Sequence, residues 1–195
     1  MRIVTYGAAT SLDGFITAAD GSLDWLHFSK DVHEITGTYW TTVDTVLMGR
    51  KTWTAALALM AGGAEVPPPT PGITTYVFSR TLESVSGVGV HLVSGDAGEF
   101  VRELKQRPGK GICMMGGGEL AQSLFAANVI DEVGLNIHPI ILGAGIPFFR
   151  DPGRRIPLTL IESRTIDGGC VLATYRVSAA SPAKSQRRRK SKQAQ

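Results

Sequence analysis

The sequence predicts a single α/β domain with three layers: a mostly parallel central sheet, helices on both faces, and an antiparallel hairpin at its C-terminal edge. Short apolar segments alternate with helical patterns up to about residue 143, which is the order typical of βαβ units. Two alternating segments then flank Asp167-Gly168-Gly169, a sequence typical of hairpin turns. The 195 residues include 43% hydrophobic and 19% charged side chains, which is enough for one domain with a core.

In the first half, a helix is predicted from Asp31, as the capping residue with Glu34 three positions later, to about residue 40. A second helix is predicted over 53–60, after the sequence Gly49-Arg50-Lys51-Thr52. Strands and loops alternate with these helices. The predicted strands span 2–9, 45–48, 74–78 and 88–93, and the predicted loops span 10–21 and 62–72.

In the second half, helices are predicted over 96–105 and 119–125. A long apolar strand over 132–142 contains Pro139, which indicates an edge strand or a bulge. Further strands are predicted over 112–115, 158–166 and 171–177, and a loop over 143–149. The domain is therefore expected to span 1–178, with a disordered tail over 179–195.

The central stretch is 111–125, GICMMGGGELAQSLF, in which a buried strand turns through three glycines into a helix. A helix N-terminus carries partial positive charge and free amides, and glycine lets a ligand approach the backbone. Gly116, Gly118 and Ala121 also satisfy the G-x-G-x-x-G/A pattern. The turn is expected to hold the pyrophosphate of a dinucleotide, and the alternative is a glycine-rich turn without a ligand.

Composition excludes several classes of protein and site. Cys113 and Cys170 lie in apolar segments and lack C-x-x-C spacing, so we expect buried thiols, a reducing cytoplasmic setting and no metal site. No apolar run is long enough for a membrane span, and the N-terminus has the pattern of a strand, not of a signal peptide. Six of the 20 basic residues lie in the last dozen positions, which leaves 14 basic against 17 acidic residues elsewhere.

Several motifs follow one another along the chain: SLDGFI (11–16), VLMGRKTW (46–53), YVFSR (76–80), MMGGGELAQSLF (114–125) and HPIILGAGIPFF (138–149). Together, in this order, they resemble the dihydrofolate reductase fold family, and the match extends over nearly the whole ordered chain. The first and last are more similar to the branch that contains the reductase domain of the riboflavin pathway and its stand-alone bacterial relatives. The resemblance implies a dihydrofolate reductase-like fold, NADPH as the cofactor and a pteridine- or pyrimidine-like substrate.

The resemblance also implies the residues that bind the cofactor. The turns after the second and third main strands are expected to hold the adenosine phosphates, the glycine turn the pyrophosphate, and the first loop, including Leu12, Asp13 and Gly14, the nicotinamide. Charge-assisted contacts from arginine and hydroxyl donors suit a 2′-phosphate. The implied residues are Ala9, Ile16, Gly49, Arg50, Thr52, Ser79, Arg80, Gly116, Gly117, Gly118, Glu119 and Leu120. A cis peptide bond between Gly116 and Gly117 is a further expectation from the family.

The chemistry at the substrate is less determined by the sequence. Asp13 and Asp24 are the candidate proton donors, each with the alternative role of a loop residue, and Trp25 is a candidate wall of the substrate pocket. Met115 stands where the riboflavin reductase domain usually has an acidic residue, and no carboxylate matches the one that serves folate. The H-x-E and P-C-x-x-C signature of a zinc deaminase is absent.

Two other functions stay open at this point. The tail sequence KSQRRRKSK would bind nucleic acid through phosphate contacts, or would act only as a solubilising segment. The fold would also suit a nucleotide-binding protein without catalysis. A homodimer is an expectation from the family, and no membrane partner is expected.

Overall fold

The computed structural model describes residues 1–61 and 72–178. Residues 62–71 of the predicted loop at 62–72, and the predicted tail at 179–195, lie outside these residues. None of the helices in the described ranges combines the length and the apolar character that crossing a bilayer requires.

An eight-stranded sheet forms the centre of the domain. Its strands are β1 Val4–Ser11, β3 Val43–Gly49, β4 Thr74–Phe78, β5 Val90–Val93, β6 Gly111–Gly116, β7 Glu132–His138, β9 Leu158–Thr165 and β10 Val171–Val177. They lie in the order β5-β4-β3-β6-β1-β7-β10-β9. The six strands from β5 to β7 are parallel, and β10 and β9 add to β7 as an antiparallel hairpin. The predicted parallel sheet with an antiparallel C-terminal edge is therefore confirmed.

In the described residues, four α-helices connect the strands: α1 Lys30–Thr42, α2 Arg50–Ala61, α3 Ala97–Gln106 and α4 Gly118–Ala126. Alternate residues of β6 mark the two faces of the sheet, since Ile112 and Met114 join the main core whereas Cys113 joins a smaller cluster. Residues of α3 and α4 pack in the main core, and Tyr39 and Trp40 of α1 pack against the smaller cluster, so α1 lies on the opposite face from α3 and α4.

The structure corrects three local predictions. The N-cap of α1 is Ser29, whose Oγ accepts a hydrogen bond from the Val32 amide at 3.2 Å, so Asp31 lies in the first turn. The Ser29 hydroxyl, two residues before Asp31, accepts from a free amide of the first turn as an aspartate at the N-cap would. The strand that contains Pro139 in the prediction ends at His138, and β7 lies inside the sheet between β1 and β10. Ending the strand before the proline removes the conflict with the missing amide donor.

The third local correction is that two predicted loops contain short strands. Within them, β2 Phe15–Thr17 pairs with β8 Ile146–Pro147 as a separate two-stranded sheet. The Phe148 amide donates to the Gly14 carbonyl at 2.9 Å, and the Leu12 amide donates to the Ile140 carbonyl at 2.8 Å. These bonds join residues more than 120 positions apart, which is why local sequence patterns did not predict them.

Candidate active site

The carboxyl ends of the parallel strands bring three of the predicted turns to one edge of the sheet. This arrangement follows from direction alone, because parallel neighbours end on the same side. Gly49 ends β3, Ser79 follows β4, and Gly116 ends β6. The helices α2 and α4 begin at this edge, at Arg50 and Gly118, so we call it the glycine edge.

Gly49 and Thr52 pack directly against the glycine turn. A Cβ built on Gly117 would lie 3.1 Å from the Gly49 Cα, and one built on Gly116 would lie 3.2 Å from the Thr52 Oγ1. Gly116 and Gly117 also have positive φ values of 147° and 101°, which favour glycine. The missing side chains therefore make room for the first turn of α2, a packing role that the sequence did not predict.

The predicted cis bond between Gly116 and Gly117 is wrong, since no cis peptide bond occurs among the described residues. A trans bond avoids the cost of a non-proline cis bond, about 2.5–4 kcal/mol. The two positive φ values supply the change of direction that the turn needs.

The N-terminus of α4 keeps its first amides available. Its N-cap, Gly117, has no side chain that could accept from them, and the first intrahelical bond runs from the Ala121 amide to the Gly117 carbonyl at 2.9 Å. The amides of Gly118, Glu119 and Leu120 therefore lack intrahelical acceptors. Such an end binds anions such as phosphate.

Cations from two segments surround the Glu119 carboxylate at this helix end. Its Oε1 lies 3.3 Å from the Arg150 Nη1 and 3.9 Å from the Lys51 Nζ. Arg150 also packs on the turn itself, since a Cβ on Gly118 would lie 2.9 Å from the Arg150 Cγ. Sequence analysis missed Arg150, although it follows GAGIPFF directly, as Arg50 and Arg80 follow their strands.

Ser79 and Arg80 form a tight turn after β4. The Ser79 Oγ accepts from the amides of Thr81 at 3.1 Å and Leu82 at 3.0 Å, and it also lies 3.4 Å from the Thr81 Oγ1. Arg50 and Arg80 are exposed and form no ion pair with the described residues. Both guanidinium groups are therefore available to a phosphate.

A cavity of about 1280 Å³ lies between α1 and the sheet, and sequence analysis did not predict it. None of the 13 residues of α1 is buried. Tyr39 and Trp40 pack against Val43 and Cys113 near its C-terminal end, and the Asp31 carboxylate accepts from the Asp167 amide at 3.3 Å near its N-terminal end. Burial raises the pKa of the Tyr39 hydroxyl, with a further contribution from Cys113, and burial raises that of the Cys113 thiol to about 11. Both groups therefore stay protonated at neutral pH.

Alternate residues of β7 contribute polar or small side chains to the sheet side of this cavity, whereas α1 and the segment before it contribute several large apolar ones. Glu132, Gly134, Asn136 and His138 alternate along β7 and all line the cavity. Their period of two within an otherwise apolar strand was the available sequence signal. The residues that line it from the α1 side include Leu26, Phe28, Val32, Ile35 and Tyr39. An apolar wall facing a polar wall suits a planar heterocycle, which has apolar faces and polar edges.

The cavity reaches the glycine edge. Ala9 and Met115 line it, and Met115 directly precedes the glycine turn. Ile16 packs on the main core and is not among the cavity-lining residues. Trp25 does not line the cavity either; it packs edge-on against His138, with ring centroids 5.3 Å apart.

His138 is buried at the end of β7, beside the first loop. Its Nδ1 lies 3.4 Å from the His27 amide nitrogen and 3.4 Å from the Cys170 Sγ. Burial lowers the pKa of His138, and His27 lowers it further. Burial and Asp167 raise the pKa of the Cys170 thiol. Both groups are therefore uncharged at neutral pH.

The two predicted proton donors lie outside the cavity lining. The Asp13 carboxylate accepts from the Ser11 hydroxyl at 2.6 Å and the Gly143 amide at 2.8 Å, which fastens the first loop to the segment after β7. The Ser11 hydrogen bond in particular holds the Asp13 pKa below its usual value. Asp24 is exposed and accepts from the Ser22 hydroxyl at 3.1 Å.

Comparison with known proteins finds one family model that matches most of the chain. The family model described as the RibD C-terminal domain matches residues 2–172. The uncharacterized protein YyaP of Bacillus subtilis is 31% identical over 186 residues, which cover 89% of this chain and 94% of YyaP.

Two solved structures share the fold. A protein from Shewanella sp. PV-4, provisionally assigned to riboflavin biosynthesis, is 27% identical with a TM-score of 0.79, over 91% of this chain and 100% of that chain. Dihydrofolate reductase from Enterococcus faecalis, solved with NADP(H), is 16% identical with a TM-score of 0.62, over 91% of this chain and 97% of that chain. The predicted dihydrofolate reductase-like fold is thereby confirmed.

Proposed function

This chain belongs to the family of the RibD C-terminal domain, and we propose that it is an NADPH-dependent reductase that transfers a hydride to a small heterocyclic substrate of the pteridine or pyrimidine type. The observation that carries the proposal is the junction of an anion-binding edge with a large cavity. Met115 lines the cavity, and Gly116, the next residue, begins the glycine turn. A cofactor held by its phosphates at the edge would therefore lie beside a substrate in the cavity.

The residues at the edge fit a phosphorylated dinucleotide. The free amides of Gly118, Glu119 and Leu120 and the Arg150 guanidinium suit a pyrophosphate. Arg50, Thr52, Ser79 and Arg80 supply the cations and hydroxyls that a 2′-phosphate needs. NADP(H) is bound by the Enterococcus faecalis enzyme that shares this fold.

When bound, NADPH would supply the hydride, and the protein would supply binding and orientation. Ala9 lies near the carboxyl end of β1 and lines the cavity, so it would border the nicotinamide. The apolar side chains of α1 would cover the substrate ring and exclude water. Neutral His138 would offer a hydrogen-bonding group without placing a charge next to the reacting ring.

The test is a fluorescence titration with NADPH and NADH, followed by a screen for NADPH oxidation at 340 nm with pterins and pyrimidines. The proposal expects tighter binding of NADPH and oxidation with at least one ring class. Equal affinities for the two cofactors would contradict the assignment of the arginines. NADPH binding without oxidation across the screen would instead favour a nucleotide-binding protein without catalysis.

A further inference from the structure

The imidazole ring of His138 is held in one tautomer by a neighbouring backbone amide. The His27 amide donates a hydrogen bond to the His138 Nδ1, with 3.4 Å between the two nitrogens. Because a backbone amide can only donate, Nδ1 must be the unprotonated, accepting nitrogen of the ring. In a neutral imidazole the proton then lies on Nε2, since the hydrogen bond made by one ring nitrogen sets the state of the other.

The Cys170 thiol supports the same tautomer. Its Sγ lies 3.4 Å from the His138 Nδ1, and the side chain is fully buried. Burial raises the pKa of this thiol, so the sulfur keeps its hydrogen and can donate it to Nδ1. Burial also lowers the pKa of His138, so the ring is uncharged at neutral pH. Two donors therefore converge on Nδ1, which leaves the ring proton on Nε2.

The protonated nitrogen of His138 is open to the cavity. Among the described residues, the hydrogen bonds of this ring involve Nδ1, and none involves Nε2. The buried polar side-chain atoms that lack a partner in these residues belong to Thr17, Trp25 and Asn136, so the unpaired Nε2 is not a fully buried atom. Since His138 lines the cavity, the Nε2–H group is an unused donor that a molecule in the cavity can reach.

His138 also lies at the end of the cavity that reaches the glycine edge. It is the last residue of β7 and pairs with Ser11, at the carboxyl end of β1. Ala9, two residues earlier on β1, is the residue that the family resemblance assigns to the nicotinamide. A molecule that accepts a hydrogen bond from the His138 Nε2 would therefore lie beside the bound cofactor.

We propose that His138 is a hydrogen-bond donor of the substrate site, and that its Nε2–H binds the heteroatom of the C=N or C=O bond that is reduced. Negative charge develops on this atom when hydride adds to the carbon, and a fixed donor at developing charge lowers the barrier. A neutral imidazole can polarise such a bond while it keeps its own proton. The His27 amide and the Cys170 thiol are positioning groups, because they fix the tautomer. This inference rests on the proposed function for the identity of the cavity as the substrate site.

The first experiment measures the tautomer by nuclear magnetic resonance, on the full chain with isotopically labelled histidine and without cofactor. A spectrum that correlates the ring nitrogens with the carbon-bound ring hydrogens shows which nitrogen carries the proton. The signals of His138 are those that His138→Gln lacks. At neutral pH we expect His138 in the Nε2–H form alone, with the exposed His33 and His91 as references for rings in contact with solvent. A protonated Nδ1 and unprotonated Nε2 in His138 would overturn the proposal.

The second experiment titrates the same protein with quinoxaline and naphthalene, two flat bicyclic probes of which only quinoxaline has C=N acceptors. Quinoxaline is expected to shift the Nε2 signal of His138, and naphthalene to shift it far less. The backbone amide signals of β7 give the affinities. His138→Leu is expected to bind quinoxaline roughly threefold to tenfold more weakly than the wild type, as the loss of one neutral hydrogen bond predicts. His138→Gln, whose amide can donate from near the Nε2 position, is expected to bind it more tightly than His138→Leu. The control His91→Leu, at an exposed residue of β5, is expected to keep the wild-type affinity.

The outcomes separate this inference from the proposed function. Equal binding of quinoxaline by the wild type and His138→Leu would overturn the role of His138, and so would an unshifted Nε2 signal at the highest soluble concentration of quinoxaline. If His138→Leu does not fold, the two wild-type spectra decide the question alone. Failure of NADPH binding would instead contradict the proposed function, since neither measurement here needs the cofactor.

Discussion

Gly117 and Gly49 lie back to back, so that a Cβ on Gly117 would lie 3.1 Å from the Gly49 Cα. Gly117→Ala is expected to destabilise the fold and to weaken NADPH binding, because the turn would have to move away from α2. Gly143→Ala is a matched control, since Gly143 also has a positive φ of 73° but nothing within 4 Å of its Cβ position. Backbone strain alone should cost each variant about 1–2 kcal/mol.

Urea unfolding and NADPH titration of both variants measure the difference. The steric contact with Gly49 should make Gly117→Ala the less stable of the two, by about 1 kcal/mol or more. Equal stabilities would show that the turn relaxes around a Cβ. Unchanged NADPH affinity in a folded Gly117→Ala variant would show that the turn is not part of the cofactor site.

Arg50→Ala is expected to weaken NADPH binding by about 1.5–3 kcal/mol and to leave NADH binding nearly unchanged, because only NADPH carries the 2′-phosphate. Arg102→Ala is the control, since Arg102 lies on α3 and donates to the Ala127 carbonyl at the far end of α4. Fluorescence titrations with both cofactors give the four affinities. Equal losses of affinity for NADPH and NADH would indicate that Arg50 contacts the pyrophosphate, which both cofactors carry, instead of the 2′-phosphate.

Glu119→Gln is expected to strengthen NADPH binding, by about 0.5–1 kcal/mol at low salt. The Glu119 carboxylate lies 3.3 Å from the Arg150 Nη1 and 3.9 Å from the Lys51 Nζ, so it competes with a phosphate for both cations. The gain should shrink as ionic strength rises, because these side chains are largely exposed. Weaker binding by Glu119→Gln would mean that the side chain itself contacts the cofactor.

His138 is expected to make the protein less stable in mild acid. Its pKa is lower in the folded chain than the ordinary value of 6.5, so the unfolded chain binds more protons below that pH. The contribution of neutral His138 to the free energy of unfolding is fully present above pH 6.5. It is lost as the pH falls from 6.5 through the lower pKa that His138 has in the folded chain. Urea unfolding at pH 8 and pH 5.5 should show a larger loss for the wild type than for His138→Gln. The exposed His33 and His91 are common to both proteins and cancel in this comparison.

Much of the glycine edge could be predicted from sequence alone. Strand patterns that end at Gly49, Ser79 and Gly116 predict where the turns meet, because parallel strands place their carboxyl ends on one side. The hairpin around Asp167 followed from its turn residues and from alternation. The starts of α2 and α4 were predicted within a few residues, since strand and helix periods differ clearly.

Other parts of the site depend on pairs of residues that are distant in sequence. Arg150 reaches Gly118 and Glu119 from a different segment, and Asp13 fastens its loop through Gly143. The sequence of one segment shows that it carries a charged residue, but it does not show which distant segment that side chain will contact. The prediction of a cis bond was wrong for a related reason. The turn packs against Gly49 and Thr52, which lie in a distant segment, and it does so with a trans bond.

The order of strands and helices along the chain, the edge where the glycine turns meet and the cationic character of that edge could all be predicted from the amino-acid sequence. These features follow from local periodicity and strand direction, which neighbouring residues set. Folding of the whole chain places α1 away from the sheet, Asn136 on the cavity wall below α1, and Asp13 and Asp24 outside the cavity lining. Tyr39 and Trp40 of α1 pack on Val43 of β3 and Cys113 of β6, and this contact between segments far apart in sequence forms only when the whole chain folds.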